Sequence, residues 1–457
     1  MAQRLEQVDP AWAWAQYEPD AQRPWDHARA AHLYRRAGFG ASWAQIQQSV
    51  ELGPAATLHR LFQAGEAQDT PRFEAEVADL ASAMAATGTA GSLSAWWLYA
   101  MVHTPDPLTE KMTLFWHGHF ATSAAKVTNP KLMLDQNLLL RSHALGRFEP
   151  LILGISRDPA MLIWLDSTSN RKIHPNENYA RELMELFCLG PGHYTEQDIK
   201  QIARAFTGWE VHRDRFVFNP HQHDRGEKSF LGRSGPFGGE EAIRIVLEQP
   251  AAPRFIVRKL VNYFLFDEPD APDTLIEPLA AQLRDNGFHL GPVVRRILAS
   301  NLMFSQHAMA SKVRSPVELA VGLLRALEAR TDMGALAVAL DRLGQALFFP
   351  PNVKGWDGGR AWISSASILA RANLVRDLSL GGKLIYPHGG LPAQCERDGA
   401  TDPPAMVDRL LRLLVAPAVP GPARQSLIEL ASSGDHPDQR LARVVSAIAA
   451  LPEFHLS

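Results

Sequence analysis

Two His-x-His units, each with acidic side chains close by, are the residues of this chain with most chemistry to offer. The first is His117-Gly-His119, within the run Phe-Trp-His-Gly-His-Phe-Ala-Thr-Ser that spans 115–123, with Glu110 two helical turns before His117. The second is His221-Gln-His223, followed at once by Asp224. Imidazole nitrogen and carboxylate oxygen are the donors that zinc and other first-row divalent metals take. On an unbroken helix His117 and His119 point about 200° apart, so they converge only if the helix stops near Gly118. On a strand, residues two apart share a face, and His221 and His223 would converge without distortion. The plainer reading of each pair is one hydrogen-bonded core histidine and one surface histidine.

A third polar-rich stretch is Asn-Glu-Asn-Tyr-Ala-Arg-Glu-Leu-Met-Glu-Leu-Phe over 176–187. Helical spacing puts Tyr179, Leu183, Leu186 and Phe187 on one apolar stripe. It makes an exposed ion-pair ladder of Glu177, Arg181 and Glu185. Asn178 and Glu182 fall on the border between these faces. A carboxylate there is partly desolvated, which raises its pKa and suits it to proton transfer. The tryptophans Trp96, Trp97, Trp116, Trp164, Trp209, Trp356 and Trp362 are sugar-stacking platforms or simply core, with most expected to be core. The glycine run 232–239 lacks the Lys-Ser/Thr of a phosphate loop, and no Gly-x-Ser-x-Gly elbow is present.

The elements that must position these groups are mostly helices. Apolar residues recur at three and four spacing through 58–62, 95–101, 112–116, 132–140, 179–189, 199–206, 255–264, 290–298 and 317–327. Pro105 and Pro107 introduce the helix that carries His117, and Gly190 and Gly192 end the one that carries Glu182. Strand signal is confined to 215–219 and 228–232, read as one hairpin. The expected fold is all-α: a large multi-helical domain over 1–380 with one β-hairpin excursion at about 211–232. A Gly- and Pro-containing linker over 381–404 and a C-terminal helical cap over 405–457 follow.

Composition excludes several classes. Lys plus Arg is 46 against 49 Asp plus Glu, a net charge of −3, which lacks the basic field that nucleic acid demands. Hydrophobic residues make up 46%, too many for a disordered chain, yet no apolar run is long enough to span a bilayer. Cys188 and Cys395 are two isolated cysteines and give no disulfide framework. Residues 1–17 show no export leader, so a cytoplasmic location is expected.

Four motifs together resemble the bacterial DUF1800 family: His-Leu-Tyr-Arg-Arg-Ala-Gly-Phe-Gly at 32–40, the 115–123 run, the 176–187 stretch, and Pro-Pro-Asn-Val-Lys-Gly-Trp at 350–356. The resemblance covers roughly 32–373. It implies a family role for His117, His119, Asn176, Glu177, Asn178, Arg181, Glu182, Glu185, His223, Asp224, Lys228 and Trp356. It also implies exported relatives and a DUF1501-family partner, while naming no reaction.

The leading expectation is therefore a metal-dependent enzyme. His117, His119, His221 and His223 would hold a divalent metal such as zinc, and Glu182, Glu110 and Asp224 would move protons. Asn178, Arg181, Trp209, Lys228 and Trp356 would bind substrate. One alternative is a metal-free glycan hydrolase that pairs carboxylates from Asp166, Glu182 and Asp224 with Trp164 and Trp209. The other is a non-catalytic scaffold whose polar motifs are buried hydrogen-bond networks.

Overall fold

The helix Pro107–His119 runs through the interior with eleven of its thirteen residues buried, and the rest of the molecule is arranged around it. Asp106 caps its first turn by accepting from the Thr109 amide, and Pro107 occupies the first position, where no amide donor is needed. A helix covered on every side must find a partner for each polar side chain it carries. Glu110, Lys111, Thr113, His117 and His119 are all in that position.

The computed structural model describes residues 5–457 apart from 87 and 435, so the first four residues of the 1–17 stretch lie outside it. Among the described residues there are twenty-three α-helices and two small antiparallel two-stranded sheets, which makes the fold all-α with a minor β excursion. Pro130–Ser142 and Ala90–His103 pack beside the central helix. Ala251–Phe264 and Pro316–Ala326 reach it through side chains: the Tyr263 hydroxyl donates to the Lys111 carbonyl at 2.9 Å, and Glu318 pairs with Lys111. No helix among the described residues is long and apolar enough to cross a membrane.

The β excursion differs in its pairing from the single hairpin expected. Trp209–His212 pairs with Arg215–Phe218, and Lys228–Phe230 pairs with Arg233–Gly235. The run at 215–219 does not meet the run at 228–232, because each closes on a partner two residues away. Both turns have two consecutive residues at positive φ, Arg213 with Asp214 and Leu231 with Gly232. That is the geometry whose twist suits a two-residue hairpin loop. Such a short local closure costs less entropy than spanning the segment from 219 to 227.

Segment 381–404 is structured. It holds the helix Leu391–Arg397, buries Leu391, Gln394, Cys395 and Ala400, and pairs Ile385 with Arg330. The final helices, Pro403–Leu414, Gly421–Ser432 and Pro437–Ala449, pack on Ser365–Ser379 and on His27–Ala37.

Candidate functional site

One cavity of about 450 Å³ opens against the C-terminal end of the central helix. Three of the motifs read in the sequence meet there. His119 and Gly118 come from the first, and Lys354 and Trp356 from the Pro-Pro-Asn-Val-Lys-Gly-Trp run. The third contributes backbone: residues Leu183–Cys188 wind as a π-helix, a departure from α geometry that recurs at functional sites. Its carbonyls turn toward cavity-lining side chains, Phe187 O lying 3.1 Å from His119 Nε2 and Leu186 O lying 3.3 Å from Lys259 Nζ. Gly355 explains why that run carries a glycine. Its φ is +81°, and a Cβ there would stand 2.4 Å from the Gly118 carbonyl, so backbone packs directly on backbone.

Helix geometry sends the two histidines of the first unit apart, since the helix continues unbroken to His119. His117 enters an aromatic cage of Trp97, Phe348 and Trp356, with ring centroids 5.1–5.6 Å away. Its Nε2 accepts the Phe348 amide at 3.1 Å, and burial holds its pKa down at about 3. Phe348 sits at φ +66°, a costly conformation for a bulky residue, which the surrounding contacts hold in place. His119 faces the cavity. Its Nε2 must carry the proton in order to donate to the Phe187 carbonyl, which leaves Nδ1 a bare lone pair, buried and without a partner. Burial, and then the charge of Lys259, keep this ring neutral.

Charge in the cavity wall is organised in pairs. Lys111, fully enclosed, pairs with Glu318, which also closes the capping box with Ser315. Lys312 pairs with Asp267, and Arg360 pairs with Glu268 at 3.0 Å near the rim. Burial pushes the Glu318 carboxyl up, but Lys111 and Lys312 outweigh it and bring its pKa down to about 2. Lys259 stands apart. Among the described residues it makes no ion pair; it bonds the Leu186 carbonyl and lies over the face of Phe255, and burial lowers its pKa to about 8. Phe115, Tyr263, Trp356 and Trp362 supply aromatic surface around it.

The other candidates lie in separate networks. Glu110 is buried behind the cavity, where it accepts from Trp97 Nε1 at 2.9 Å and pairs with Arg141. Glu182 is half-buried; desolvation and then Glu185 raise its pKa, while the charge of cavity-lining Lys354 opposes the rise. Asn178 is exposed at the start of its helix, and Arg181 clasps Glu196 with both nitrogens at 2.8 Å. The hairpin residues form a network of their own. Asp224 takes Arg204 Nε at 2.7 Å, and that contact holds its pKa below the usual carboxylate range. Lys228 is buried and donates to the carbonyls of Asp224 and Gly226. His223 Nδ1 lies 2.9 Å from the Thr207 carbonyl, and Trp209 packs on Phe206 and Phe216. His221 is exposed in a turn, so it and His223 do not share a strand face.

Asp166 pairs with Lys126 on the surface, and Trp164 is partly buried beside it. Of the metal, proton-transfer and substrate candidates, His119 and Trp356 line the cavity. Among the described residues, no three His, Cys, Asp or Glu side chains are grouped closely enough to hold a metal ion.

Lys259, Lys111, Lys312, Glu318 and Asp267 carry the electrostatics of the cavity, and motif reading passed over them. A signal for two of them was present. Lys259 is four residues from both Phe255 and Tyr263, and Lys111 is three and four from Leu108 and Phe115, so each interrupts an apolar helix stripe.

A helical fold that carries a mixed-charge, aromatic-walled cavity of small-molecule size is that of a globular protein. The chain belongs to the family described as protein of unknown function (DUF1800), whose model matches residues 32–456. No curated protein and no solved structure matches it.

Proposed function

We propose that this cavity is the working site of the protein and that it takes a small, flat organic acid on which acid–base chemistry is carried out. The observation that carries the reading is the half-buried amine of Lys259, which lines the cavity without a carboxylate partner among the described residues, although Lys312 on the same lining and Lys111 behind it each have one. A buried cation without a counter-ion is costly, and an anionic ligand removes that cost. The aromatic side chains favour a planar body, and the neutral His119 ring on the lining, with its Nδ1 unpartnered, suits a hydroxyl or N–H donor on the ligand. Glu182, half-buried, with its pKa raised by desolvation and then by Glu185, and within reach of the charge of cavity-lining Lys354, would be the carboxyl that exchanges protons with solvent.

Titration calorimetry with 4-hydroxybenzoate as probe tests this. The expected result is saturable binding that weakens at least ten-fold in Lys259→Met. Absence of binding, or binding indifferent to that change, overturns it.

The metal-dependent reading draws less support, because His117, His223 and Asp224 are each engaged in separate networks. Elemental analysis of the purified chain, with His119→Ala beside it, tests that reading directly. The glycan-hydrolase reading likewise lacks a cavity shared by Asp166, Glu182 and Asp224. A DUF1501-family partner, implied by family resemblance, is a further proposal that co-purification of the two full chains tests.

A further inference from the structure

Lys259 and Lys312 line the cavity and Lys111 lies buried behind it, paired with cavity-lining Glu318; the three differ in one respect. Lys111 and Lys312 are held by Glu318 and Asp267, contacts that keep an ammonium charged and its lone pair occupied. Lys259 projects from the apolar stripe of its helix, lies over the face of Phe255 and keeps a single long hydrogen bond to the Leu186 carbonyl. Of its three hydrogen-bonding positions, two are uncommitted. Lys228, a buried lysine also held by carbonyls, spends two donors on them, whereas Lys259 spends one. An amine that reacts must be free of a carboxylate, since an ion pair suppresses the neutral nucleophile.

We propose that Lys259 is an imine-forming residue, whose Nζ condenses with the carbonyl carbon of an oxo acid bound in the cavity. This rests on the cavity being the working site, and adds to it the substrate class and the covalent step. The nitrogen lone pair attacks the carbonyl carbon, a C–N bond forms, and the C=O π pair moves onto oxygen. A proton passes from nitrogen to that oxygen, with the neutral ring of His119 on the cavity lining as the relay. The carbinolamine's nitrogen lone pair then closes the C=N bond as the C–O bond breaks, and the departing hydroxyl takes the remaining N–H proton and leaves as water. The balance is amine plus carbonyl giving imine plus water, with no oxidant or reductant consumed. Lys354, exposed on the same lining and free of an ion pair, supplies positive charge for the carboxylate of the acid. The neutral fraction of amine that this needs at physiological pH follows from the burial that brings Lys259 down to about 8.

Reductive trapping tests the proposal. The full chain is incubated with phenylpyruvate and sodium cyanoborohydride, followed by intact mass and peptide mapping. The expected result is one adduct per chain on Lys259, formed at least ten-fold faster than on surface Lys131, with a rate that rises with pH to a plateau above about 8. Lys259→Arg, which keeps the charge, and Lys259→Met are both expected to lose this adduct. His119→Gln is expected to slow trapping while phenylpyruvate still quenches cavity tryptophan fluorescence. If phenylpyruvate quenches that fluorescence and competes with 4-hydroxybenzoate, yet Lys259 stays unmodified, imine formation is overturned and the cavity reading survives. If neither binding nor trapping occurs, both fall.

Discussion

The two His-x-His units carry the same letters at the same spacing and end in opposite circumstances. At 117–119 a continuous helix splits the pair between an aromatic cage and a cavity wall, and both rings are buried and neutral. At 221–223 a turn leaves one ring exposed, while the other bonds the Thr207 carbonyl beside an Arg204–Asp224 ion pair. The difference teaches that His-x-His is a statement about composition. What the rings do depends on the backbone that carries them and on whether water is excluded around it. The helical unit is bound into the interior and borders a cavity; the turn unit finishes a loop.

The comparison can be broken most forcefully at His117. His117→Ala removes a caged ring and strands the Phe348 amide, so a loss of about 2–4 kcal/mol is expected in urea unfolding. A loss below about 1 kcal/mol would mean that the cage is not a structural anchor. Lys259→Met is expected to act in the other direction. The folded value is about 8 against 10.5 for a free amine, so between these pH values the unfolded chain binds more protons and stability rises with pH. At pH 7 the full penalty applies. The methionine variant should therefore gain about 1–3 kcal/mol there and lose the rise above pH 8. A stability curve unchanged in that window would remove the premise of an unpaired buried amine.

At the turn unit the expected effects are smaller. Asp224→Asn weakens a partly exposed ion pair and should cost about 0.5–1 kcal/mol, with 4-hydroxybenzoate binding unchanged by calorimetry. A change in that binding would tie the hairpin to the cavity and dissolve the contrast. His221→Ala should lie within about 0.5 kcal/mol of the parent chain in thermal unfolding.

The helices were legible because apolar periodicity and capping residues are local signals: Asp106 before Pro107 and Ser315 with Glu318 act within one turn. The hairpins were legible as strand content but not as pairing. Positive φ at Arg213 and Asp214 has no strong residue signature of the Asn-Gly kind. The cavity was half legible. His119 and Trp356 belong to marked motifs, whereas Lys259 comes from a stretch that reads as an ordinary buried helix. Its importance lies in a missing partner, and only the full set of neighbours reveals what is missing.

By itself the sequence determined that this is a helical globular chain, without a basic field for nucleic acid, whose family motifs concentrate polar groups on a few helices. Those properties follow from composition and from interactions within a few residues. Tertiary structure decided which of those groups share a space. Lys111 meets Glu318 and Lys312 meets Asp267 across large sequence separations, while Lys259 pairs with no acid among the described residues. Coulomb and desolvation energies depend on distance and burial in three dimensions, and neither is encoded in the spacing along the chain.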